Sequence, residues 1–341
     1  LMVICATQAQ NPPLGVNIGQ PGDYSAEKML VDIIKQARKF RSPSHPWNDT
    51  PAVALDSNGW PLEDAGIVAA IPPDPGSYYF SCKGTCTIEP VSCSFTVKNR
   101  SYDAATNTTT AEIVVPSGQS NFFLAFKNTN GGIRDARLIR PGYQPGAQTF
   151  TTPFLNAVRR FAAVRFMDFM GINRCFTYPQ KRLWSDHRPI TFASQASSQY
   201  AGASFDLAVM LCNEVKRDAW ICIPTDADDE YIRQCATLFK NGLDASLHIY
   251  LEFGNEVWNY QFPQAGYSLE AAKAEIAAGP SSLNYDGQTN QYQLAARWYA
   301  RRTVQAARIF KSVFGDAGFK ERVRPVVMWQ TSGGVHKSLL E

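Results

Sequence analysis

The sequence has no dominant charge: 33 Lys plus Arg stand against 30 Asp plus Glu in 341 residues, a formal net charge of +3. It has no long basic run either, so the concentrated positive field that holds a phosphate backbone is missing and nucleic acid is not an expected partner. No stretch approaches the roughly 18 to 20 apolar residues of a membrane-spanning helix, which excludes a span and leads to a soluble mature chain. No glycine-rich phosphate loop follows a strand candidate, which argues against a nucleotide-binding open sheet. Histidine is scarce, at four residues, and there is no internal repeat or low-complexity linker. What is present, 45% hydrophobic residues, 12% aromatic, 21 Pro and 23 Gly, suits a folded chain with a sizeable core and many turns.

The amino terminus, Leu1-Met-Val-Ile-Cys-Ala-Thr-Gln-Ala9, reads like the tail of a secretory signal running into the Pro-rich Gln10-Asn-Pro-Pro13. Three acceptor sequons begin at Asn48, Asn99 and Asn107, a pattern of a secreted, glycosylated protein. The cysteines fall into two groups, Cys82, Cys86 and Cys93, then Cys175, Cys212, Cys222 and Cys235. The first group lacks the fourth ligand and the paired short spacings of a structural zinc site, so no metal is assigned to it. Disulfides within each group suit an oxidising compartment, with connectivity left open; for Cys212 and Cys222, which lie in apolar runs, buried free thiols are the alternative.

The chain divides by texture into residues 1–13, a signal remnant and amino-terminal segment; 14–50, a first strand and helix; 51–146, an inserted β-sandwich; and 147–341, further alternating strands and helices. Leu14 to Gly19 is the first strand candidate, and the spacing of Met29, Leu30, Ile33, Ile34 and Ala37 predicts a helix opening at Ser25. Short alternating runs separated by Gly, Pro, Asn and Asp turns, such as Thr110 to Val115 and Phe122 to Phe126, predict the sandwich. Later strands are expected at 164–170, 219–224, 247–253 and 323–329, with helices between them. This alternation predicts an α/β fold, a (β/α)8 TIM-like barrel with an inserted all-β sandwich. Five strands do not close such a barrel, so it is expected to be incomplete at the carboxyl end and completed by a missing segment or a partner chain.

The segment Tyr250-Leu-Glu-Phe-Gly-Asn-Glu-Val-Trp-Asn259 lies at a strand's carboxyl end, the edge where barrel enzymes build their sites. Glycosidic hydrolysis needs a protonated acid beside the leaving oxygen and a second carboxylate. Glu256 is the candidate acid, Asn255 a candidate donor to a sugar hydroxyl, and Trp258 a flat face for a sugar ring or a packing residue. Asp168, Asn173, Trp184, Arg188 and Asp226 fall at or just after strand ends and are further candidate substrate contacts, as is Trp329. Glu252 shares side-chain parity with Glu256 one layer lower, where an ionised carboxylate needs a donor; Arg165 is the expected structural partner. The basic face of the helix around Arg297 to Arg308 reads as solvated.

The Asn255-Glu256 pair and its flanking run resemble the fourth-strand motif of the clan A glycoside hydrolases, retaining (β/α)8 enzymes. The order of first strand, β-sandwich, Arg165 to Asp168, Trp184 to Arg188 and the Glu252 to Asn259 run resembles a group of secreted proteins sometimes labelled cellulose-binding. The likeness spans Val16 to Trp329. It implies a polysaccharide or glycan partner, no cofactor, Glu256 as acid/base and Asn255 as a substrate-binding amide. The clan's nucleophile follows its seventh strand, which the strand candidates do not reach; Glu321 and Glu341 do not fit that role. The end of the third strand reads Pro224-Thr-Asp226 where many clan members carry histidine. Two functional classes follow: a secreted hydrolase, or a non-catalytic extracellular carbohydrate-binding or structural protein on a degenerate barrel.

Overall fold

A computed structural model describes residues 13–196 and 201–329. The signal-like segment, Cys5 and Glu341 lie outside the described residues. Among the described residues twelve strands form three sheets, of which one is parallel and two are antiparallel. The parallel sheet holds β1 (Gly15–Asn17), β9 (Ala163–Arg165), β10 (Asp218–Ile223), β11 (Ile249–Phe253) and β12 (Val323–Val326), side by side in chain order. A strand order that steps one way through right-handed crossovers lays the connecting helices on one face. Those helices are α1 (Thr152–Val158), α2 (Phe205–Val215), α3 (Asp229–Gly242), α4 (Pro263–Ala277) and α5 (Gln291–Arg322). They pack in a row, α1 on α2, α2 on α3, and α5 on both α3 and α4.

Strand periodicity then sorts the side chains. Val164, Ala219, Ile221, Ile223, Ile249, Leu251 and Phe253 are buried on the helix-covered face, where Phe253 meets Trp298 and Tyr299 of α5. Asn17, Arg165, Trp220 and Tyr250 are register partners across the sheet, as are Cys222 and Glu252, and these residues alternate to the opposite face. Helix starts are fixed locally: Ser204 caps α2 through Asp206 N, and Asp228 caps α3 by accepting from Tyr231 N at 2.7 Å.

The sandwich pairs β2 (Ala65–Ala70), β7 (Phe122–Lys127) and β4 (Thr87–Pro90) against β5 (Thr96–Asp103), β6 (Thr108–Val115), β3 (Gly76–Lys83) and β8 (Arg134–Ile139), all antiparallel within each sheet. In β6 half-buried and buried residues alternate strictly, the pattern of a strand with one face on a core. Tyr78, Phe80, Phe122 and Phe126 fill that core, Phe80 stacking on Phe126 at 5.4 Å.

Two expectations are corrected. Residues 25–37 form turns and isolated bridges, not a helix. Their apolar positions serve two cores: Met29 and Leu30 join the parallel-sheet core, whereas Ile33, Ile34, Ala37 and Phe40 join the sandwich core. The backbone bonds go to distant strands, with Val31 N donating to Thr149 O and Ile33 N to Leu138 O, and Lys28 sits at φ +44°. The sandwich body therefore takes in residues before 51, and α1 is the helix that connects β1 to β9. Second, the strand expected over 164–170 ends at Arg165; Phe166 and Phe169 bury their rings edge to face in the following turn. The parallel sheet has five strands, as many as expected from the sequence, and an eightfold barrel is not seen among the described residues.

No described helix is long and apolar enough to cross a membrane. The seven described cysteines stand as free thiols; Cys175, Cys212, Cys222 and Cys235 are each buried.

Candidate functional site

At the carboxyl edge of the parallel sheet, β11 ends at Phe253 and the chain turns sharply through Gly254 at φ +72°. A Cβ at this position would lie 2.7 Å from Thr225 Oγ1 and 2.9 Å from Val257 Cγ1, so only glycine fits. Two residues later Glu256 adopts a left-handed conformation, φ +43°, a state that costs a non-glycine residue about 1 to 3 kcal/mol unless its surroundings impose it. Here they do: Glu256 O accepts from Asn259 N at 2.8 Å, and the Glu256 carboxylate accepts from Asn259 Nδ2 at 2.9 Å. Glu256 is half-buried, at the lip of the sheet.

Beneath it lies a dense polar cluster. Arg165 on β9 donates from Nε and Nη2 to Glu252, at 3.0 and 2.8 Å, and Trp220 Nε1 adds a third donor at 2.8 Å. Glu252 is 1% exposed, and the guanidinium beside it supplies the charge that lets a carboxylate persist there. Burial works against the Arg165 charge, but the Glu252 bonds outweigh it and hold the guanidinium above its ordinary pKa. Cys222 lies 3.3 Å from the same carboxylate, and burial first, then that negative charge, keep it a thiol.

Arg165 Nη2 also reaches Asn255 Oδ1 at 2.9 Å, while Asn255 Nδ2 donates to Asn173 Oδ1 at 2.8 Å. Gln264 of α4 closes the ring, donating to Asn173 Oδ1 and to Asn255 O. Arg165, Glu252, Asn255 and Asn173 are thus brought together under Glu256. Asp168 is exposed nearby on the β9 loop and accepts from Asn17 Nδ2 at 2.6 Å, linking the first two strand ends. Trp258 and Trp329 meet with centroids 5.3 Å apart, both half-buried, and Trp329 also contacts Tyr299.

Three other predicted contacts are engaged inside the protein. Asp226 is 1% exposed and accepts from Arg182 and from Phe176 N, fastening the loop after β9 to the end of β10. The Arg188 guanidinium donates to Ser194 O and Ala196 O and lies over Phe192, so it shapes its own loop. Trp184 stacks on His187 at 4.4 Å and parallel to Phe205, a packing role. The sequon residues Asn48, Asn99 and Asn107 are all exposed.

Gln264, Asn259 and Arg182 had not been singled out from sequence. Asn259 carried a usable signal, closing the Asn-Glu run; Gln264 and Arg182 carried none, because their partners lie on other loops. Among the described residues no group of three or more His, Cys, Asp or Glu side chains is placed to hold a metal ion. Comparisons with protein families, with characterised proteins and with solved structures return no match for this chain.

Proposed function

We propose that the chain is a secreted protein of the clan A glycoside hydrolase type, acting on a polysaccharide by a retaining mechanism with Glu256 as acid/base. The parallel strands would then be part of a (β/α)8 barrel. The observation that carries this reading is the backbone of Glu256: a carboxylate is held in a left-handed conformation at the carboxyl edge of a parallel sheet, on a turn only glycine can start. Backbone strain retained at such an edge marks a side chain aimed for use. Glu256 would protonate the leaving glycosidic oxygen and then remove a proton from the attacking water, while a second carboxylate about 5 to 5.5 Å away forms the covalent intermediate. Asn255, pinned by Arg165 and Asn173, fixes the entry to that turn. Tyr260 and Tyr292 support a saccharide partner, since both rings are about half exposed, 48% and 54%, and meet edge to face, Tyr260 from the loop after β11 and Tyr292 from the first turn of α5. The exposed sequons support secretion.

A second reading, carbohydrate binding without turnover, is favoured by one observation. Asn255 uses both atoms of its amide inside the protein, leaving less of it for a sugar hydroxyl.

The test is release of reducing ends from a panel of polysaccharides by the full-length protein and by Glu256→Gln. Loss of at least about 100-fold in turnover with retained binding in affinity electrophoresis is expected of an acid/base. Hydrolysis unchanged by the substitution removes Glu256 from the role, and wild-type binding with no hydrolysis selects the second reading.

A further inference from the structure

The chain leaves the four-stranded sheet of the sandwich at the end of β3 and enters the three-stranded sheet at β4, and a cysteine stands at each side of that corner. Cys82 Sγ and Cys86 Sγ are 3.8 Å apart, with the residues 2% and 0% exposed. The turn between them is tightly held. Gly84 has φ +102°, its N donates to Asn107 O, and its O accepts from Thr109 Oγ1 at 2.7 Å. A Cβ on Gly84 would lie 2.9 Å from Gly132 O, so the corner has no room to open outward there. Cys93, the third cysteine of this group, is directed elsewhere, toward Phe123 O at 3.2 Å. Cys82 and Cys86 are the one close sulfur pair among the described residues.

We propose that Cys82 and Cys86 are a site of oxidative cross-linking, a disulfide clip across the corner that joins the two sheets of the sandwich. It stands on the sulfur geometry, independent of the carbohydrate reading. The reaction is thiol–disulfide exchange with a low-molecular-weight disulfide. One protein thiolate attacks a sulfur of that disulfide and expels a thiolate; the second protein thiol then attacks the mixed disulfide, and its proton leaves with the second small thiol. The balance is two protein thiols and one small disulfide giving one protein disulfide and two small thiols. In the closed corner the hydrogen bond from Cys82 holds Cys86 below its ordinary pKa, and Arg100 adds to this. The same bond, together with burial, raises Cys82. Both sulfurs are covered in the folded protein, so the exchange occurs as the sandwich closes or opens.

The experiment uses the full chain refolded with oxidised and reduced glutathione, quenched in acid, unfolded, and alkylated before and after reduction. Peptide mapping is expected to show Cys82 and Cys86 linked, with a mass 2 Da below the dithiol and no alkylation until reductant is added. Cys93→Ser keeps the link, and reduction lowers the Tm of the wild type while leaving Cys82→Ser/Cys86→Ser unchanged. Alkylation of both cysteines without reductant, or a link from either to Cys93, overturns the proposal. Should the serine variants not fold, the wild-type map alone decides between these outcomes.

Discussion

The two bodies of the molecule differ in how tightly they gather their buried polar groups. Under the parallel sheet's carboxyl edge, Glu252, Asp226, Asn255 and Gln264 are all at most 5% exposed, and the two carboxylates are each answered by an arginine from another segment. In the sandwich body the core is built of apolar and aromatic side chains, and the buried polar residues Gln36, Ser42, Thr109 and Arg140 are scattered around it, Arg140 meeting Asp74 at 2.8 Å. Burying a charge pair does little for stability in itself, because desolvation cancels much of the attraction. A chain that concentrates such pairs at one edge gives up cheap apolar packing for a fixed arrangement of polar groups. On the proposed reading, chemistry falls to the parallel-sheet body and support or display to the sandwich.

The largest expected effect comes from breaking the charge pair. Arg165→Ala leaves Glu252 buried without its cation, and should destabilise the protein by about 3 to 5 kcal/mol in urea unfolding. Replacing both partners by apolar residues, Arg165→Met with Glu252→Leu, should recover most of that loss while disturbing Asn255, which loses the Arg165 donor. If the single variant costs under about 1 kcal/mol, the pair behaves like a surface ion pair and the contrast between the bodies fails.

Acid should also act on the parallel-sheet body first. His187 stacks against both Trp184 and Phe205, and its ring Nε2 accepts from Phe205 N. Burial lowers its pKa to about 4, against an ordinary value of 6.5. Above pH 6.5 the ring is neutral in the folded and unfolded chain alike, and its contribution is fully present. Below that, the unfolded chain takes up a proton that the folded one refuses, so stability falls as pH drops toward 4, by up to about 3 kcal/mol. Denaturation midpoints between pH 7 and 4 should show this slope in the wild type and a shallower one in His187→Gln. Equal slopes would mean that His187 is as accessible to protons in the fold as out of it.

How much of this could be read from the chain differs between the bodies for a physical reason. Alternation along Thr110 to Val115 reports one buried face and needs no partner to be interpreted, so the sandwich was legible. The apolar run Ala219 to Ile223 and the Ile249 to Phe253 strand were legible for the same local reason. Strand parity placed Glu252 on the face of Arg165, where their side chains meet. Residues 25–37 were misread because apolar spacing cannot say whether its members face one core or two. Phe166 and Phe169 looked like strand because a buried turn and a buried strand share composition. At the rim, polarity at a strand end marked Asp226 and Arg188, but their partners, Arg182 for one and the carbonyls of Ser194 and Ala196 for the other, are fixed by loop paths that local sequence does not encode.

The smallest expected effect tests the sandwich side of the contrast. Thr109 is fully buried, and its hydroxyl donates to Gly84 O at 2.7 Å, at the corner between β3 and β4. Thr109→Val keeps the branched shape and removes one neutral hydrogen bond, so its cost is the net value of that bond plus the deprived carbonyl, about 1 kcal/mol. A loss above about 3 kcal/mol would place Thr109 with Glu252 as a polar group the surrounding body depends on, and the division of labour between an apolar sandwich and a charged sheet edge would no longer describe the molecule.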